Sequence, residues 1–240
     1  MTASAPDQAD YSGQYALSGP AKVRDARVTP IRGDLADIAL AGKLFAPHYV
    51  VPMERAVTAA FAPLRKTPHD DAEQISELLE NERFMVLDMA GAWAWGYCQH
   101  DCYNGYVALD LLGEPQGAAP VASAGDPVEA ALACVGTPYV WGARGGAGID
   151  CSGLVQTAFA HAGQALPRDS DQQEARGEAV ADAQRGDLVF FPGHVAIATS
   201  ADEVVHASQD ASGIGGAVVI EPLAALVARK GEPTHIRRLA

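Results

Sequence analysis

Two hydrophobic rhythms divide this chain. Between Tyr49 and Tyr106 apolar residues come in short runs broken by turn formers: Tyr49-Val-Val, Val57 to Phe61, Phe84-Met-Val-Leu, Ala92 to Tyr97 and Gly105-Tyr-Val. Such runs predict a small all-β unit. Past residue 125 the spacing turns helical. Asp126 can cap a helix with Pro127 in its first turn and Glu129 reaching back, and Val128, Ala131, Leu132 and Val135 then share a buried face before Gly136 stops it. A second helix is predicted from Cys151, with Leu154, Val155, Ala158, Phe159 and Ala162 on one face and Gly163 as its stop. Alternation returns in Leu188-Val-Phe-Phe, His194 to Thr199, Val204 to Ala207 and Ala217 to Ile220, as strands of one antiparallel sheet. Helix, helix, then strands is the order of an α+β unit.

The stretch from Leu112 to Pro127 is Pro, Gly and small residues with little to bury, which marks a linker. Leu35, Ile38, Ala39 and Leu44 suggest a short helix from Asp34 that Pro47 ends, and the first 25 residues have no periodicity. The predicted organisation is therefore an arm with a short helix over 1–46, the all-β unit over 47–112, a linker over 113–125 and the α+β unit over 126–240.

Composition narrows the partners. Seventeen Lys and Arg against thirty Asp and Glu leave a net charge of −13, which repels nucleic-acid phosphates and anionic lipid surfaces. Neither nucleic acid nor a membrane is expected as a partner. The polar opening residues and the lack of a long apolar run predict no export signal and no anchor, hence a cytoplasmic protein whose four cysteines are reduced.

Cys151 carries the chemistry. It follows a glycine-rich loop (Gly142, Gly145, Gly146, Gly148) and opens a helix, where unpaired N–H groups favour a thiolate. A nucleophile needs a base, and the base needs a group that fixes its tautomer. His194 and His206 are the candidates: with an odd turn between their strands His206 falls opposite Ala196 and diagonal to His194, at about 7 Å between β carbons. The small Ala196 and Ala198 leave room on that face for a packed helix, for which the one headed by Cys151 is a candidate. The remaining histidines (His48, His69, His100, His161, His235) read as surface or core residues, and Cys134 as a core thiol. Cys98-Gln-His-Asp-Cys102 matches no zinc spacing, and the glycine loop lacks the Lys-Ser/Thr of a phosphate loop.

Pro138-Tyr-Val-Trp-Gly, Gly148-Ile-Asp-Cys-Ser-Gly-Leu-Val, Leu166-Pro-Arg-Asp-Ser, Arg185-Gly-Asp-Leu-Val-Phe-Phe, His194-Val-Ala-Ile and His206-Ala together resemble the NlpC family of papain-like cysteine peptidases of the bacterial cell wall. Upstream, Ile75-Ser-Glu-Leu-Leu-Glu-Asn-Glu, Ala92-Trp-Ala-Trp-Gly-Tyr and Asp101-Cys-Tyr-Asn-Gly-Tyr-Val are similar to the bacterial SH3-like domain that precedes this peptidase in enzymes recycling wall peptides. The resemblance implies a papain-like α+β peptidase domain behind a small SH3-like barrel. It implies Cys151 as nucleophile, His194 as base, His206 as orienting residue and Tyr139 beside the nucleophile. It also implies hydrolysis of the bond between γ-D-glutamate and a diamino acid in murein peptides with a free L-alanine, the amine being held by Asp150, Ser152, Glu82 and Tyr103. No cofactor and no metal is implied.

Arg144 or Arg168 would offer a guanidinium to a substrate carboxylate. The chain departs from the family pattern at Ala143, where a glycine is usual, and at Cys102, where Asp-Gly-Tyr becomes Asp-Cys-Tyr. Two other readings stay open from the sequence: an acyltransferase or amidase of the same fold, and an inactive peptide-binding module. The third substrate residue, diaminopimelate or lysine, is also open.

Overall fold

The computed structural model describes residues 24–119, 125–209 and 216–239. Most of the predicted arm, residues 1–23, lies outside them. In the all-β unit alternating Val, Leu and Phe build seven strands: β3 (Met53–Val57), β4 (Phe61–Arg65), β5 (Gln74–Leu79), β6 (Arg83–Ala90), β7 (Trp93–Cys98), β8 (Asn104–Ala108) and β9 (Leu112–Gly113). They form one antiparallel sheet in the order β5-β4-β8-β7-β6-β3-β9, around a core that includes Val57, Leu64, Leu78, Phe84 and Val107. Ahead of it, β1 (Leu35–Asp37) and β2 (His48–Val50) pair in parallel.

Three expectations change here. The short helix expected from Asp34 is instead β1 followed by a single 3₁₀ turn, Ile38–Leu40, capped by the Asp37 carboxylate, which also accepts the Tyr97 hydroxyl. Val57 to Phe61 is not a strand but the turn from β3 to β4, its Thr58 N–H donating to Leu111. And β5 was hidden, because Gln74, Ser76 and Glu77 break its hydrophobic alternation. Those polar side chains face the other unit.

The second unit contains α1 (Pro127–Leu132), α2 (Cys151–His161), α3 (Ser170–Glu174) and α4 (Leu223–Lys230). Its strands are β10 (Glu178–Val180), β11 (Leu188–Phe191), β12 (His194–Ala198), β13 (Glu203–Ser208), β14 (Ala217–Pro222) and β15 (His235–Arg238), in the antiparallel order β10-β15-β11-β12-β13-β14. Leu154, Val155 and Phe159 of α2 pack on Val195, Ile197, Val205 and Val218. Full burial of each such side chain stabilises by about 1.5–3 kcal/mol. The Ala196 and Ala198 face takes a helix too, but it is α4 through Leu226 and not the Cys151 helix. The branched residues of β12 supply the larger apolar surface, and α2 takes that side.

Candidate active site

Asp150 caps α2 by accepting the Gly153 N–H at 2.7 Å, so Cys151 is the first helical residue and its own N–H has no intrahelical acceptor. The thiol is buried, and the N–H groups of Val195 and Ser152 point at its sulfur. That sets Cys151 against the end of β12 that carries His194. The expected thiolate is not the resting form: burial, and next the Asp150 carboxylate, push the thiol up to about 11 and outweigh the N–H groups and Arg168. Burial likewise pulls His194 down to about 3, with His206 adding to the effect. The free site thus holds a neutral thiol and a neutral imidazole.

Strand register then orders the imidazoles. Ile197 pairs with Val205 and Ala198 with Val204 across a turn of odd length, which sets His206 opposite Ala196 and diagonal to His194. His194 Nε2 and His206 Nδ1 are 2.9 Å apart, with the rings edge-on at 85°. His206 Nε2 lies 2.6 Å from Glu221 Oε1 on β14, and Arg229 of α4 bonds the same carboxylate through Nη1 at 2.7 Å. The Arg229 hydrogen bond holds the Glu221 carboxyl below its ordinary range, so it only accepts. His206 must then carry its proton on Nε2 and accept at Nδ1. His194 in turn donates from Nε2, which leaves its Nδ1 lone pair free to take a proton. Glu221 fixes both tautomers, and the sequence reading missed it.

The cleft beside Cys151 has a volume of about 300 Å³. Of the residues expected there, Tyr103, Asp150 and Ser152 line it, together with Trp141 and Gly142 of the glycine loop. Gly142 has φ +77°, and a β carbon there would lie 2.5 Å from the Gln74 carbonyl, so this turn against the all-β unit demands glycine. Tyr139 is half-buried; burial, then Cys151 and Asp150, raise its phenol, which remains an O–H donor. Ala143 is fully buried away from the cleft. Cys102 keeps a left-handed conformation at φ +62°, which a glycine would adopt without strain.

Two expectations fail on charge pairing. Glu82 does not line the cleft: it accepts Arg144 Nη1 at 2.7 Å and the Leu79 N–H at 2.9 Å. Arg144 lies off the cleft, and Arg168 lines it with a guanidinium already held by protein partners. Arg144 is buried between Glu82, the Glu77 carbonyl and Gln156, and Arg168 between Asp150, Ser152 and Ser76. Asp150 itself is matched by Arg168 through two hydrogen bonds, 2.6 and 3.1 Å. Glu77, which nothing in its own strand pattern singles out, accepts the N–H groups of Arg144 (2.9 Å), Gly146 (2.7 Å) and Ala147 (3.2 Å). A carboxylate of the all-β unit thus shapes the glycine loop ahead of Cys151.

The neutral histidines predict an acid response. Both fall below their ordinary value in the fold, chiefly through burial, so the unfolded chain binds more protons and stability falls as pH drops. The loss should begin near the unfolded histidine value of about 6.5 and, for His194, continue to about 3. It amounts to at most about 1.4 kcal/mol per pH unit per histidine. Thermal melting at pH 7, 6 and 5 should show a steeper fall in wild type than in His194→Gln. Equal slopes would mean the imidazole is solvated.

Residues 136–224 match the NlpC/P60 family, and residues 64–112 match the bacterial dipeptidyl-peptidase SH3 domain. A probable endopeptidase of Corynebacterium glutamicum is 46% identical over 107 residues, 42% of this chain and 51% of that protein. A gamma-D-glutamyl-L-lysine dipeptidyl-peptidase of Bacillus cereus is 39% identical over 74 residues, 30% of this chain and 22% of that protein. The chain thus spans about half the length of the first relative and less of the second. The crystal structure of an NlpC/P60 family protein from Bacillus cereus superposes with a TM-score of 0.43 at 26% identity, over 77% of this chain and 62% of that one.

Proposed function

We propose, for a chain that carries an NlpC/P60 domain behind a bacterial SH3 domain, a cysteine endopeptidase that hydrolyses the γ-D-glutamyl–diamino acid bond of murein peptides with a free N-terminal L-alanine. The observation that carries this reading is the series His194, His206, Glu221, whose hydrogen bonds leave His194 Nδ1 unprotonated at the end of β12 where the Val195 N–H meets the sulfur of Cys151. As the sulfur of Cys151 attacks the γ-carbonyl, its proton passes to His194 Nδ1. The oxyanion forms beside the unpaired Cys151 N–H and the Tyr139 hydroxyl. The C–N bond breaks as His194 returns the proton to the leaving amine. Water, giving a proton to His194, then cleaves the thioester and frees Cys151.

A free amine calls for unmatched negative charge. Glu82 lies off the cleft and Asp150 is matched one to one by Arg168, so the ammonium is assigned to the end of the cleft beside Tyr103, where Asp169 and Asp171 together with Asp25 outnumber the single guanidinium of Arg27. An enzyme with this demand acts on fragments released from the wall and not on intact wall, where the alanine is amide-linked. The reading includes recycling of such fragments in the cytoplasm.

Mass spectrometry of the purified protein with L-Ala-γ-D-Glu-diaminopimelate, its lysine counterpart and their N-acetylated forms tests the assignment. Release of L-Ala-D-Glu from the free-amine peptides alone is expected. Cleavage of acetylated peptides would discard the amine requirement, and cleavage of none would discard the peptidase.

A further inference from the structure

Behind the Cys151 cleft lies a larger cavity of about 740 Å³, lined by His100, Asp101 and Cys102 of the all-β unit and by Leu166, Pro167 and Arg176. The cleft and the cavity share two lining residues, Arg27 and Asp171. Arg27 comes from the segment ahead of the all-β unit, and it is held there by backbone contacts. Asn104 donates its backbone N–H to the Arg27 carbonyl at 2.7 Å and its side-chain amide to Ala26 and Thr29. From that anchor the guanidinium reaches across to the second unit. It donates Nη1 to Asp169 at 2.7 Å and to Asp171 at 2.8 Å, and Nη2 to Asp171 at 2.7 Å; Nε and Nη2 also bond Asp25. Tyr103 donates its hydroxyl to the same Asp169 oxygen at 2.7 Å.

We infer that Arg27 is a specificity-determining residue: its bridge to Asp169 and Asp171 is the wall that ends the substrate cleft and shuts it off from the cavity behind. The inference rests on the proposed peptidase reading and deepens it. Three carboxylates surround one guanidinium, so the wall keeps an excess of negative charge that receives an ammonium. A peptide whose alanine nitrogen carries an acyl group or another residue places a neutral amide where the ammonium would sit, and its extension meets the bridge sterically. Without the guanidinium its extension has an open route into the cavity. Selection against substituted amines thus comes from a repulsive element as well as an attractive one.

The test compares the full-length wild type with Arg27→Ala and Arg27→Lys on L-Ala-γ-D-Glu-diaminopimelate and on the same peptide extended by an N-terminal glycine. The readout is the ratio of kcat/KM for the extended peptide to that for the free one. Arg27→Ala is expected to raise this ratio at least tenfold, and Arg27→Lys less, because a single ammonium cannot span Asp25, Asp169 and Asp171 together. A ratio unchanged in Arg27→Ala, with wild type selective, overturns the wall and leaves the peptidase assignment standing. Wild type cleaving both peptides alike overturns the amine requirement and the wall with it, and wild type cleaving neither overturns the peptidase reading on which the wall rests. If Arg27→Ala fails to fold, Asp171→Ala removes one side of the bridge at an exposed carboxylate. The ratio should then rise in that variant, and an unmoved ratio overturns the inference.

Discussion

Cys151→Ala is expected to lower kcat on the free-amine peptide by about five to six orders of magnitude, the loss seen when the nucleophile of a catalytic unit is removed. His194→Ala should cost nearly as much, and the double variant little more than either alone, because the two act on one proton. Glu221→Ala should cost much less, on the order of a hundredfold, since His194 keeps its place and loses only the tautomer imposed through His206. Its signature is a changed pH profile of kcat with KM nearly constant, and Glu221→Asp should recover part of the loss. Steady-state kinetics with circular dichroism as a folding control checks the series. A Cys151→Ala protein that still releases L-Ala-D-Glu would remove Cys151 from the chemistry altogether.

The second large effect is on stability. Arg168→Ala would strand the Asp150 carboxylate, which is buried, caps α2 and receives both guanidinium hydrogen bonds. Removing one partner of a buried ion pair costs about 3–5 kcal/mol. In a protein of this size that lowers the melting temperature by on the order of 10 °C. Substituting both partners, Asp150→Asn with Arg168→Met, should recover part of the loss, since no unpaired charge stays buried. Differential scanning calorimetry of wild type, Asp150→Asn, Arg168→Met and the double variant closes a cycle that gives the coupling. A single-variant loss below about 1 kcal/mol would mean that water screens the pair, as at a protein surface. The same cycle reports on the docking of the two units, because Arg168 also donates to Ser76 of β5 at 3.1 Å.

How the sequence and the structure share the result can be followed residue by residue. Helical spacing after Cys151 and the Asp150 cap belong to local sequence, and α2 begins where those features put it. Alternation along β12 and β13 set which residues share a face, so the diagonal of His194 and His206 was legible before any coordinates. Glu221 was not, since its place beside His206 depends on the pairing of β13 with β14. The choice of helix for the alanine face also lay beyond local pattern, because either face of β12 accepts an apolar partner and the better fit decides.

Charge pairing was the least legible. Glu82 and Arg144 lie 62 positions apart, and Asp169 and Arg27 142 positions apart, in different units of the fold. A short motif around a carboxylate says that it is acidic. Whether it faces a cleft or is spent on an arginine depends on how the two units dock. The sequence by itself determined the secondary-structure rhythm, the two units and the residues able to do the chemistry, because those follow from periodicity and local hydrogen bonding. The tertiary structure alone decided which carboxylates outnumber their arginine at the end of the cleft, because a buried charge takes whatever partner packing brings within reach.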